Sequence, residues 1–249
     1  MSDGASIDFS EMFEGATKFT RKITSWSIDS NDILTNMLTN SGLVNDNLYG
    51  FTSGTPSYTQ FNKPICFHKG TKILCYIDNK EKYIPVEKLY KGVLVKTYQH
   101  GYRPIDLIKT GTYRLGNIGL DMGMYKMKKT GSMLDDLKMT GLHSILVDEN
   151  DPEYSDQVKR FEVANEKFKR PWGWHIDGKF RLTANSCTQF KKMPVNDYTV
   201  YSFALDREKM QYGIWANGVL VESTAHRYLE KMSGALHTRP NFNNNELMA

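Results

Sequence analysis

From Ile65 to Val221 the apolar residues come in short runs, broken by turn-forming residues, and few architectures accept that rhythm. Thr71–Ile77 reads as a strand, Asp78-Asn79-Lys80 as a turn, and Tyr83–Val86 as a second strand whose Pro85 favours an edge or an end. Leu89-Tyr90-Lys91-Gly92 turns the chain into Val93–Tyr98, and His100-Gly101 turns it into Ile105–Lys109. The last runs are Tyr198–Leu205 and Tyr212–Val221, the latter folded on Asn217-Gly218, a strong two-residue hairpin signal. Strands recurring about every 8–12 residues predict an all-β barrel or sandwich. Met122, Met124, Met127, Met133 and Met139 lie among lysines and read as adaptable core filling.

Residues 1–64 are of another kind. Within residues 1–65, 17 are Ser or Thr, and seven acidic residues face four basic ones, leaving the remainder of a +4 chain at +7. A weak helical pattern surrounds Ile33, Met37 and Leu38, and Gly50–Pro64 is turn-like. The expectation is a polar, irregular N-terminal arm over 1–64, with no internal repeat. After Ser223 the spacing of Tyr228, Leu229, Met232 and Leu236 becomes helical, giving a tail over 225–249 that frays after Asn241. His226 and His237 then fall on one helix, exposed to solvent.

Composition excludes several classes. No apolar run approaches the roughly 20 residues needed to span a bilayer, and no secretory signal precedes the first turns. Three Cys argue against a disulfide scaffold and for a reducing, cytoplasmic setting. Nine basic residues against three acidic ones across 159–192 read as a solvated face, and no nucleic-acid motif accompanies them. Trp172-Gly173-Trp174 reads as loop-to-core packing.

Chemistry concentrates at Cys66-Phe67-His68-Lys69-Gly70-Thr71-Lys72-Ile73 and at Met139-Thr140-Gly141-Leu142-His143. Taken alone, Cys66 is a small buried hydrophobe and His143 a structural histidine; their company raises both. Zinc held by Cys66, His68, Cys75 and His143 matches no compact ligand spacing, so neither metal nor cofactor is expected, and Cys75 and Cys187 read as core thiols. The Cys66 start with Gly70-Thr71, then Pro85-Val86-Glu87-Lys88-Leu89, then Thr140…His143, then Val200-Tyr201 and Ile214 through Asn217-Gly218 to Val221 resemble, in order, the motifs of the Hint family shared by Hedgehog autoprocessing domains and inteins. The stand-alone form is most similar to Hint proteins of large DNA viruses of algae and protists.

The resemblance implies a mainly β horseshoe over 65–224. It implies cleavage of the Ile65–Cys66 bond, with Cys66 as nucleophile, Thr140 binding the peptide and His143 protonating its nitrogen. Gly70, Thr71, Asn217 and Gly218 would support the motif, and the chain's own arm would be the substrate in cis. Where an intein ends in His-Asn, this chain reads Glu222-Ser223-Thr224, so splicing is not expected. Ser202 and Gln211 also depart from the late intein motif, and the sterol-activating Asp of Hedgehog proteins finds only a poor match at Asp121. The alternative is a silent Hint scaffold with a structural or interaction role, as a minor capsid component of a virion.

Overall fold

The computed structural model describes residues 8–18, 33–41, 65–113, 123–165, 174–209, 211–231 and 235–237. The chain divides into two compact units, one drawn mainly from residues 1–63 and the other mainly from residues 64–114 and 123–230.

The larger unit is mainly β and antiparallel, as the strand rhythm predicts. It begins with β1 (Phe67–His68), β2 (Lys72–Ile77), β3 (Lys80–Pro85), β4 (Leu94–Lys96) and β5 (Tyr102–Tyr113). There follow β6 (Met124–Met127), β7 (Leu137–Thr140), β8 (Ser144–Val147), helix α1 (Ser155–Asn165), β9 (His175–Ile176), β10 (Lys179–Thr183) and β11 (Phe190–Lys192). The chain closes with β12 (Tyr198–Leu205), β13 (Gly213–Ala216), β14 (Val219–Glu222), helix α2 (His226–Lys231) and β15 (Ala235–Leu236). In β2, Ile73 and Cys75 are buried between half-buried neighbours, the period-two alternation of a strand. β8 is buried throughout and β12 from Val200 onward, as expected of strands covered on both sides.

Strand order runs β11-β6-β7-β1-β12-β5-β4-β2-β13-β14-β8-β10-β9, with β3 beside β2 and β15 beside β5. β5 carries this path between two groups of strands. Its first residues pair with β4, and Ile105 to Tyr113 pair with β12, whose register slips at Ala204/Leu205. Three hairpins close on two residues at positive φ: Asp78-Asn79, Asp177-Gly178 and Asn217-Gly218. That turn matches the twist of the flanking strands. Met124, Met127, Met133 and Met139 are buried as expected, while Met122 lies outside the described residues. Trp174 stacks on Phe180 and meets Phe161 edge-to-face; Trp172 and Gly173 are not among the described residues.

Several expectations are corrected. β5 continues past Lys109 to Tyr113, and β3 ends at Pro85, where Val86 enters a 3-10 turn. The tail helix stops at Lys231, and Leu236 and His237 lie on the extended chain beyond it. His226 and His237 therefore share no helix face: His226 meets Asp106 at 2.6 Å and His237 meets the Glu87 carbonyl at 3.0 Å. Residues 33–41 are not helical. They form successive turns beside residues 8–17, bridged in parallel at Asp8 and Ile33. Among the described residues no helix is long and apolar enough to cross a membrane.

Candidate active site

Cys66 precedes β1, which lies between β12 and β7 through Phe67, opposite Tyr201 on one side and Met139 on the other. This brings together residues 74 apart in sequence. The Cys66 N–H donates to Thr140 Oγ1 at 3.0 Å, and the Thr140 N–H returns a bond to the Cys66 carbonyl at 3.1 Å. After Thr140 the chain turns, with the His143 N–H bonded to the Thr140 carbonyl at 3.0 Å. That turn lifts the imidazole over the same residue: His143 Nδ1 lies 3.2 Å from the Cys66 carbonyl oxygen, and Nε2 lies 2.9 Å from that of Glu222. Phe67 packs its ring on His143 at 4.4 Å. Cys66, Thr140 and His143 are all buried.

His143 thus sits between two acceptors, while a neutral imidazole has a single N–H. Its shorter contact favours Nε2–H donating to Glu222, which leaves the Nδ1 lone pair on the Cys66 side. Burial is the largest influence and holds the imidazole below its ordinary pKa; the Glu222 carboxylate and the two carbonyls pull the other way. The ring is therefore neutral near pH 7 and able to take a proton. Burial also pushes the Cys66 thiol up to about 12, opposed by the Ser202 hydroxyl. The thiol keeps its proton at neutral pH, so its attack on a carbonyl requires a base in the same step.

Two further side chains meet the bond preceding Cys66. The Ile65 carbonyl accepts from Ser202 Oγ at 2.7 Å and from Thr224 Oγ1 at 3.3 Å, and the two hydroxyls lie 2.7 Å apart. Donors aimed at a carbonyl oxygen stabilise the charge that develops there when the carbon is attacked. Sequence reasoning noted Ser202 and Thr224 only as departures from an intein pattern and assigned them no role. A lone Ser and a lone Thr carry no spacing signal; only the approach of β12 and of the chain just beyond β14 to Ile65 makes them a pair.

Glu222 is buried against Arg181 in an ion pair. Its carboxylate also accepts the Ser144 N–H at 2.8 Å and Gln211 Nε2 at 3.0 Å. These bonds fix the strand whose carbonyl meets His143. Ser223 is occupied structurally, its hydroxyl accepting the Tyr212 N–H at 2.9 Å.

The supporting positions have local work. Gly70 adopts φ 88 in the turn before β2, and its N–H meets Glu87 Oε2 at 2.9 Å. Thr71 is buried beside it. Asn217 Oδ1 accepts the Lys72 N–H at 2.8 Å, and its Nδ2 donates to the Asp136 carbonyl at 2.8 Å. Asn217 therefore ties the late hairpin to the start of β2 and to the loop before β7. Cys75 and Cys187 are buried core thiols, and Asp121 lies outside the described residues. Among the described residues no group of three or more metal-ligating side chains occurs.

No family model matches this chain, and no curated protein matches it. Among solved structures, it is similar to a bacterial intein-like domain from Clostridium thermocellum, at 15% identity and TM-score 0.36, over 65% of this chain and 100% of the other. It is also similar to a DnaB intein from Synechocystis, at 11% identity and TM-score 0.34, over 65% of this chain and 99% of that one.

Proposed function

We propose that this chain is a Hint-type self-processing protein that breaks its own Ile65–Cys66 bond without splicing. The observation that carries the reading is the handling of one peptide unit from both ends: Thr140 holds the Cys66 N–H, while Ser202 and Thr224 hold the Ile65 carbonyl.

The Cys66 sulfur attacks the Ile65 carbonyl carbon, and the thiol proton passes to the His143 side. The carbonyl becomes an oxyanion under the two hydroxyls. When the C–N bond breaks, the proton goes to the Cys66 nitrogen, leaving a thioester to Cys66 and a free amine. Water then hydrolyses the thioester, giving an Ile65 carboxylate and the restored thiol. Each chain turns over once and needs no added cofactor.

The second reading, a silent scaffold with a structural or interaction role, draws on one observation: burial pushes the thiol up to about 12, and among the described residues the group opposing this is the Ser202 hydroxyl rather than a cation. A virion setting for that scaffold, or a cytoplasmic one for either reading, rests on the sequence alone.

Intact mass spectrometry of fresh protein, with and without dithiothreitol or hydroxylamine, tests the reading. Fragments 1–65 and 66–249 should accumulate, faster with the added nucleophile. Cys66→Ala should abolish them, and His143→Ala should slow them by about 10²–10⁴-fold. An intact mass that persists for days with hydroxylamine overturns self-processing and leaves the scaffold. Fragments at the same rate from Cys66→Ala overturn the choice of nucleophile.

A further inference from the structure

The strands that bring Cys66 and Thr140 together carry a second row of side chains on the same face, and that row is basic. Lys126 of β6 stands directly opposite Lys191 of β11 on one side and Lys138 of β7 on the other. Phe67 opposite Met139 sets His68 opposite Lys138, which continues the row into β1. Burial holds the His68 imidazole below its ordinary pKa, and the nearby Lys138 charge adds to the effect. Side chains alternate between the faces of a sheet, so residues two apart share one. Lys126 therefore shares its face with Met124, Lys138 with Thr140, and His68 with Cys66. The lysine row lies two residues, about 7 Å, along the strands from the row that holds Cys66 and Thr140. Over that step the face passes from protein to water. Met124, Cys66 and Thr140 are buried, Lys138 and His68 are half-buried, the Lys126 side chain is 36% exposed, and Lys191 is exposed.

Like charges directly opposite one another destabilise a sheet. Little in the molecule offsets them here. Asp136 meets Lys126 Nζ at 3.5 Å and its charge is felt at Lys138, but the same carboxylate also accepts the Lys129 N–H at 2.9 Å. One carboxylate thus faces three ammonium groups. Lys138 and Lys191 form no ion pair among the described residues. Uncompensated cations gathered on a half-buried face raise the local concentration of anions. The inner end of this row is half-buried and points along the sheet to the Ile65–Cys66 peptide, a position suited to a small anion.

We propose that the lysine row seats the anionic end of a small carboxylate-bearing thiol, which takes the Ile65 acyl group from Cys66 in place of water; this rests on the self-processing proposed above. The ammonium groups of Lys126, Lys138 and Lys191 hold the carboxylate. The thiol sulfur attacks the thioester carbonyl carbon, the bond from that carbon to the Cys66 sulfur breaks, and the proton of the incoming thiol ends on Cys66. Residues 1–65 leave as a new thioester, and residues 66–249 keep a free amine and a free thiol. One thioester replaces another, so the exchange needs no oxidant or reductant.

The test follows the full chain by intact mass with 3-mercaptopropionate, 2-mercaptoethanol or hydroxylamine, the two thiols being compared at equal thiolate concentration. At low salt, mercaptopropionate should release the 1–65 thioester about tenfold faster than mercaptoethanol. That ratio should fall to about one as salt is raised from about 0.02 M to about 1 M. Combined Lys126→Gln, Lys138→Gln and Lys191→Gln should bring the ratio to about one at low salt too, whereas arginine at the same three positions should keep it. Both thiols act on the same protein, so any change in folding or overall rate cancels from the ratio. A ratio near one in the unaltered chain, or a tenfold ratio that survives the glutamine variant, overturns the proposal. Hydroxylamine separates this failure from that of the reading beneath it. Fragments with hydroxylamine but no preference between the thiols overturn the anionic acceptor alone. No fragments with any of the three nucleophiles overturn self-processing and the anionic acceptor together.

Discussion

The peptide at Ile65–Cys66 and the coil at residues 8–17 both have their backbone polar groups gripped, but over very different distances along the chain. At that peptide the partners of Cys66 are Thr140 and His143 and those of Ile65 are Ser202 and Thr224, at separations of 74 to 159 residues. In the coil, each N–H finds its acceptor within three residues or in residues 33–39. A centre assembled from remote strands can aim several side chains at one bond, and a single loss disturbs all of them. A coil spreads its bonds evenly along its length and aims none of them at a single bond.

The sharpest way to break that contrast is at Glu222. Glu222→Gln leaves Arg181 buried without its counter-charge, at a cost of about 3–5 kcal/mol. The urea midpoint of the β unit should fall accordingly, while amide exchange in residues 8–17 stays as it was. Arg181→Met with Glu222→Leu should recover much of the loss. Next in size, Ser202→Ala removes the closer donor to the Ile65 carbonyl and should slow cleavage by about 10²-fold, with the folding midpoint little changed. Asn217→Ala removes a two-sided tie at a positive-φ position and should cost about 2 kcal/mol in thermal unfolding.

A subtler effect comes from pH. The Cys66 thiol is raised from 9.0 to about 12, so its contribution to stability is whole below pH 9 and is lost as pH climbs towards 12. Cys66→Ala should flatten the fall of the urea midpoint between pH 9 and 11. Smallest of all is a change in the coil. Glu11 holds φ 57, and Glu11→Gly relieves a left-handed residue, slowing exchange at the Phe13 amide by about 0.5–1 kcal/mol.

Legibility in the sequence followed the same divide. Cys66, Thr140 and His143 meet where the ordered motifs place them, because each is anchored by strand and turn signals that survive in a single sequence. The hairpin at Asn217-Gly218 was readable from the dipeptide, and the alternation in β2 from its buried Ile73 and Cys75. Ser202 and Thr224 were not readable as carbonyl donors, since a hydroxyl residue announces nothing until a second strand approaches. The Arg181–Glu222 pair was hidden for the same reason: a charged residue inside a strand is ordinarily read as facing water. The weak helical pattern at Ile33–Leu38 came from turns rather than from a helix. Turns closing every three residues place Leu34, Met37 and Leu38 at intervals a helix would also use.

The grip of Thr224 on Ile65 also sets a timetable. A ribosome makes the Ile65–Cys66 bond early and the residues that hold it late: Ser202, Glu222 and Thr224 emerge only near the end of the β unit. Until then Cys66 is an ordinary thiol on an unfinished chain, and the bond before it is as inert as any other peptide. Under the proposed self-processing, whatever is attached ahead of Ile65 would have the time of some hundred and fifty further peptide bonds to fold before cleavage could begin.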